Sequence, residues 1–230
     1  MSTATFSTRK QAGFTLVEIA IVLVIIGLLL GGILKGQEMI VQARIKNAIN
    51  DFNGLTVAMN SYQDRYRALP GDDANATTRW TVQAPGKGNG DGVIAGKYKD
   101  NDTGGTGGAP ADGKESNLFW QHLRIAGFVP GLTSGTGSGT PPQNAVGGIV
   151  GVESAVVGTN GLGFTGLIIC SSNLPDKVAI AVDTQADDGT SAGGQIRAQL
   201  QTQANPDTAA TAAATYAETG VAQYLVCRSL

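Results

Sequence analysis

The sequence predicts an α+β fold in which a long N-terminal α-helix packs against a C-terminal head built on an antiparallel β-sheet. Three observations carry that expectation. Residues 14–34 are a nearly unbroken apolar run, "FTLVEIAIVLVIIGLLLGGIL". Beyond it, Ile45, Ile49, Phe52, Leu55, Met59, Tyr62 and Tyr66 recur every three or four residues and form one helical stripe. The later chain holds short segments rich in Ile and Val with partial alternation: "GGIVGVESAVV", "FTGLIIC", "KVAIAVD", "GQIRAQL" and "AQYLVCR". A sheet laid on the stripe of a long helix is the natural two-layer arrangement of these parts.

The apolar run has 21 residues, or about 32 Å of helix, enough to cross a hydrocarbon core of roughly 30 Å. The thirteen residues before it carry Arg9 and Lys10 as their only charges. Basic residues beside a span stay on the cytoplasmic side, so the head is expected to face outward. A secretory signal would end in a small-residue cleavage site, but this run passes instead into the polar continuation of the helix. Within the run, Glu18 is a lone carboxylate in a segment that otherwise suits lipid, and such a residue marks a function and needs a partner. Gly27, Gly31, Gly32 and Gly36 fit two roles, close helix packing or local melting. The helix is predicted to reach Ala68, where Leu69, Pro70 and Gly71 stop it.

In the head, "SSNLPD" has the composition of a turn between two strands. "DGKESNLFWQHLRIAG" reads as a shorter helix capped by Asp112, with Glu115 as its box partner, Gly127 as its stop, and Trp120, Leu123 and Phe128 as anchors. "DNDTGGTGGAPADG" and "GLTSGTGSGTPPQ" lack the apolar content to pack and are expected to be mobile outer loops. "NPDTAATAAATYAETG" is open between a loop and an Ala-rich helix.

Charge and composition exclude several functions. With a net charge of -2 the chain offers no broad basic face for nucleic acid. His122 is the one histidine, which rules out a catalytic triad or a multi-histidine metal site and suits a surface or capping role. "APGKGNGDG" lacks the Gly-Lys-Ser/Thr ending of a phosphate loop, and no enzyme chemistry is indicated. "KGNGDGVI" resembles half of a calcium loop, in which Asn89 and Asp91 fit as ligands. Lys87 sits where the first ligand belongs and Tyr98 where a glutamate would, so a glycine-rich turn explains the segment without an ion, unless Asp100, Asp102 or Glu115 reach in. No cofactor is expected apart from that calcium. Asn75–Thr77 and Asn101–Thr103 match glycosylation sequons, a pattern that chance supplies often. Cys170 and Cys227 have apolar flanks in the outward-facing part, and the even count favours a disulfide there.

The junction "RKQAGFTLVEI" resembles the prepilin signature of type IV pilins and of type II secretion pseudopilins, over Gly13, Phe14, Thr15, Leu16, Val17, Glu18 and Ile19 and the run that follows. A looser likeness to the heads of bacterial prepilin-like proteins covers "ALPGDDANATTRW", "GNGDGVI" and "FWQHLRIAGF". The resemblance implies a pilin fold divided into a leader at 1–13, a membrane and filament-core helix at 14–34, and a helix continuation with globular head at 35–230. It implies cleavage between Gly13 and Phe14 by a prepilin peptidase, N-methylation of Phe14, and pairing of Glu18 with the amino terminus of Phe14 in a neighbouring subunit. The expected protein is then a type IV pilin, held in the inner membrane by one pass among lipid, then polymerised by inner-membrane assembly machinery into an extracellular homo-oligomeric filament. Two alternatives stand beside it: a pseudopilin that stays periplasmic, whose relatives bind calcium in their heads, and a minor pilin whose head binds DNA or another ligand.

Overall fold

The computed structural model describes residues 13, 15–100 and 114–230. The Arg9 and Lys10 leader, Phe14, the Asp112 cap, Asp102, the second sequon and most of "DNDTGGTGGAPADG" therefore lie outside the described residues. The elements run α1 (Leu16–Tyr66), α2 (Ala76–Arg79), α3 (Glu115–Ile125), β1 (Val150–Ala155), a 3-10 turn (Gly161–Gly163), β2 (Gly166–Pro175), α4 (Asp176–Ala186), β3 (Ile196–Leu200) and β4 (Gln223–Ser229). The chain forms two compact units, Met1–Gln42 and Ala43–Leu230, and α1 contributes to both.

In the first unit α1 is a bare apolar cylinder. Leu16, Val17, Leu23, Val24, Leu28, Leu29 and Leu34 are each at least 60 % exposed, a contiguous apolar surface of the kind that marks a membrane or protein contact. A methyl group added at Gly27, Gly31, Gly32 or Gly36 would meet no atom within 4 Å, so these glycines serve no packing inside this chain. Any close approach they permit is to another molecule.

In the second unit the expected stripe is the buried face of α1. Ile45, Ala48, Phe52, Leu55, Ala58, Met59 and Tyr62 are buried, with Ile49 and Tyr66 at the margin. The helix stops at Tyr66, two residues before the expected end. Arg67 takes a left-handed φ of 56° and its N–H still reaches the Gln63 carbonyl at 2.8 Å. Winding has to cease there because Leu69, ahead of Pro70, is excluded from helical geometry.

The sheet is antiparallel throughout, in the order β1-β2-β4-β3. Alternation along the strands gives it two faces. Val150, Val152, Ile169, Val226 and Arg228 share one face, and Arg228 Nη1 donates to Asn53 Oδ1 of α1 at 2.7 Å. Cys170 and Cys227 lie on the other, where Tyr98, Leu162 and Phe164 from the connecting segments pack against them. Both faces are covered, which is why the strands show only partial alternation in sequence. Gly151 has to be glycine because a side chain there would collide with the backbone carbonyl of Tyr98 lying across the sheet.

Four expectations about the head are corrected. "KVAIAVD" is not a strand but most of α4: Val178, Ala179, Val182 and Asp183 are buried, a helical spacing that the V-A-I-A-V alternation conceals. The Asp176 carboxylate receives N–H groups from Lys177, Thr219 and Gly220, fixing the start of the helix and the loop before β4 together. "SSNLPD" is not a free turn. β2 continues through it to Pro175 by way of an irregularity between Ser171 and Leu174, where Asn173 adopts a φ of 58°. Glu115 is not a box partner three residues into α3 but its first residue, following Lys114, and its carboxylate turns to another loop. The second half of "GLTSGTGSGTPPQ" is not a loose loop, since Arg124 donates to the carbonyls of Ser138 and Thr140 at 2.6 and 2.7 Å and holds it down. The end of α3 follows expectation: Gly127 at φ 80° and Phe128 donate back to Arg124 and Leu123, the paired bonds of a Schellman cap.

The segment left open, 205–220, forms no helix. It runs as a strap along the outer edge of β3, where Ala213 N–H donates to Ala198 O and Ala209 N–H to Gln199 Oε1, both near 2.8 Å. A strand edge that would otherwise invite pairing is closed in this way. The strap is tied to the opposite side of the sheet by Glu153, buried in the middle of β1, whose carboxylate accepts bonds from Thr208, Asn160 and the Tyr98 N–H.

Candidate functional site

At the expected processing junction Gly13 is exposed and Thr15 stands immediately before α1. Thr15 N–H and Oγ1 both donate to Glu18 Oε2 at 2.8 Å, while Glu18 N–H approaches Thr15 Oγ1 at 3.3 Å. Thr-Leu-Val-Glu is thus a capping box, a role for both residues that the T-x-x-E spacing offered and the sequence reading missed. Both bonds to the carboxylate use one oxygen. No described residue bonds the other, Oε1, so the box fixes the position of Glu18 and leaves an acceptor open to another molecule. Gly13 of the expected cleavage pair and Glu18 of the expected assembly pair lie at the same end of the helix; Phe14, the second member of both pairs, is outside the described residues.

Two polar sites organise the head. His122, expected at the surface, is fully buried and stacks on Tyr62 with ring centroids 6.2 Å apart. Its Nδ1 accepts Gly71 N–H at 3.0 Å, so the proton sits on Nε2, 2.9 Å from Gly86 O. Burial pushes its pKa down to about 4 and keeps it neutral. It joins the segment after α1 to the loop at Gly86, a structural task set by partners far from it in the chain. Beside it the buried Asp73 carboxylate accepts Tyr62 Oη at 2.7 Å and pairs with Arg79. Burial would raise this carboxyl, but the bonds from Arg79, Tyr62 and the Asn75 N–H hold it below the usual range.

The calcium candidates lie in the second site. Asp91 falls in a group with Asp72 and Glu115, their carboxylate oxygens within 4.8 Å of one another. Asn89 turns its amide to donate to Asp91 Oδ2 at 2.8 Å. Asp72, which the sequence reading did not select, receives Gly90 and Gly92 N–H, while Glu115 receives Asn89 and Ala95 N–H at 3.0 and 2.9 Å. Asp100 does not reach in, because it is committed to Lys97 N–H and the Lys114 ammonium. Tyr98 is buried and donates its hydroxyl to Pro206 O. The turn therefore closes on its own hydrogen bonds, and its three converging carboxylates are oxygen ligands of the kind calcium takes.

Cys170 and Cys227 face each other directly across β2 and β4 and form a disulfide that closes a loop of 57 residues.

Against this geometry the profile described as the prokaryotic N-terminal methylation motif matches residues 8–34, a stretch that ends within the exposed apolar part of α1. No curated protein and no solved structure matches the chain. The motif is typical of type IV pilins and pseudopilins, and the architecture is pilin-like: a long N-terminal helix with a four-stranded antiparallel sheet. The chain is a prepilin-like protein carrying the methylation motif, which implies processing by a prepilin peptidase, and its apolar helix is consistent with membrane anchoring before assembly.

Proposed function

We propose that the chain is a type IV pilin precursor whose leader, residues 1–13, is removed between Gly13 and Phe14. The mature chain then begins at N-methylated Phe14, rests in the inner membrane through residues 14–34, and polymerises through that helix into an extracellular filament with its head, residues 35–230, outside. The observation that carries this reading is the coincidence of the methylation motif with a helix whose apolar surface is uncovered in the isolated chain. Lipid covers such a surface before assembly and neighbouring copies of the same helix cover it afterwards. Glu18, with one free carboxylate oxygen, accepts the terminal ammonium of Phe14 from the next subunit. In a dry site either charge alone is costly, so only the register that pairs them is stable. The protein is structural and not catalytic.

The test is intact-mass measurement of filaments sheared from cells. The reading expects abundant filaments of this chain beginning at a methylated Phe14; residues retained ahead of Phe14, or no filaments, would refute it. One observation favours the pseudopilin alternative, the convergence of Asp72, Asp91 and Glu115. Saturable stabilisation of the head by calcium, in a chain confined to the periplasm, would shift the assignment to a type II secretion pseudopilin.

A further inference from the structure

In the second unit a groove of about 320 Å³ opens beside α1, with Leu55, Trp120, Phe128, Pro130, Pro142 and Val150 in its walls. One charged residue lines it, Asp51. That carboxylate is half-buried, and no described residue gives it a hydrogen bond or an ion pair. Burial pushes its carboxyl up, the sign of an acid that lacks a counter-charge. An apolar slot with an acid at its mouth fits a side chain that has an aliphatic stem and a cationic tip.

We propose that this groove receives Lys46 from a second copy of the chain, its stem against the aromatic and proline walls and its ammonium on Asp51. The inference rests on the filament reading, since a contact between unlike faces repeats without closing only in such an assembly. A contact between like faces would set Asp51 against Asp51. Among the cations of α1 in this unit, Arg44 and Arg65 lie seven and fourteen residues from Asp51, roughly 20° and 40° from it around the helix. Lys46, five residues away, exposed and unpaired among the described residues, lies roughly 140° round and so points from the opposite side.

The experiment is a charge exchange in the full chain. Asp51→Lys and Lys46→Asp alone should each lower filament yield about tenfold, as loss of a close charge pair does, while the double exchange returns most of it. Non-reducing gels of filaments mixed from Asp51→Cys and Lys46→Cys chains should show a cross-linked dimer, which reads proximity even where the exchanged charges pack poorly. Normal yield from both single variants, or no rescue and no dimer, overturns the pairing. Failure of the filament reading is distinguishable, because then the unaltered chain makes no filaments at all.

Discussion

Glu18 holds Thr15 through one carboxylate oxygen and leaves the other open to the partner proposed for it. Glu18→Ala removes the cap and the proposed counter-charge, but neither is needed for insertion, and a carboxylate lost from an apolar helix does not hinder it. The expected phenotype is a processed, membrane-resident protein that forms few filaments; normal filament counts by electron microscopy would remove the pairing from the account. Gly13 substitutions should instead leave the precursor uncut, seen as the full-length mass. In the head, His122 makes a prediction about pH. Its folded pKa, lowered to about 4, lies below the unfolded value, so the unfolded chain binds the extra proton first. Its contribution is intact above about pH 6.5 and declines as pH falls toward 4, by on the order of 3 kcal/mol. Buried Glu153 and Asp183, whose carboxyls burial pushes up, act in the opposite sense over the acid range. The measurement is therefore the stability gap between the unaltered head and His122→Gln, which should narrow between pH 7 and pH 4 and hold constant if the ring stays neutral in both states.

Among the elements, β4 is the one most dependent on a covalent link. It is central in the sheet, bonded to β2 and β3, yet it arrives after a long strap with little regular structure. Closing a loop of 57 residues lowers the entropy of the unfolded chain by about 4 kcal/mol in free-energy terms at room temperature. Replacing both Cys170 and Cys227 by serine should lower head stability by roughly 2–5 kcal/mol, read in urea unfolding. An unchanged midpoint would mean that the strap already limits the unfolded chain. Gly151→Ala tests a different feature of the same sheet. It forces the Tyr98 backbone away from β1, and through Glu153 it should loosen the strap, visible as faster amide exchange at Ala209 and Ala213.

At the scale of the molecule the two units have opposite surfaces. The head has its own core, a sheet covered on both faces and an edge closed by the strap. No described residue of the first unit is buried in the isolated chain. A fragment beginning at Ala43 should therefore be soluble, monomeric and disulfide-bonded, with the near-ultraviolet circular dichroism of the full chain. Aggregation of that fragment by light scattering would show that the head needs the membrane helix to fold. With the β3 edge blocked, growth by strand addition is closed on that side.

The sequence by itself determined α1, its apolar and amphipathic portions, and the methylation motif. Those features are local: a periodicity, a length matched to a bilayer, and residues adjacent in the chain. Strands β1, β2, β3 and β4 were legible too, because Ile and Val on a sheet covered from both sides leave a compositional trace. Tertiary structure decided the rest. Whether "KVAIAVD" coils or extends depends on Asp176 meeting the N–H groups of Thr219 and Gly220, more than forty residues along the chain. His122 acquires its role only when Gly71 and Gly86 close around it, and Asp72 and Glu115 reach the turn at Asp91 from separate segments. Asp51 stands out only through the walls of Trp120 and Phe128 that the fold sets beside it. A buried polar group is defined by the partners that surround it, and those partners are brought together by the fold, not by their order in the chain.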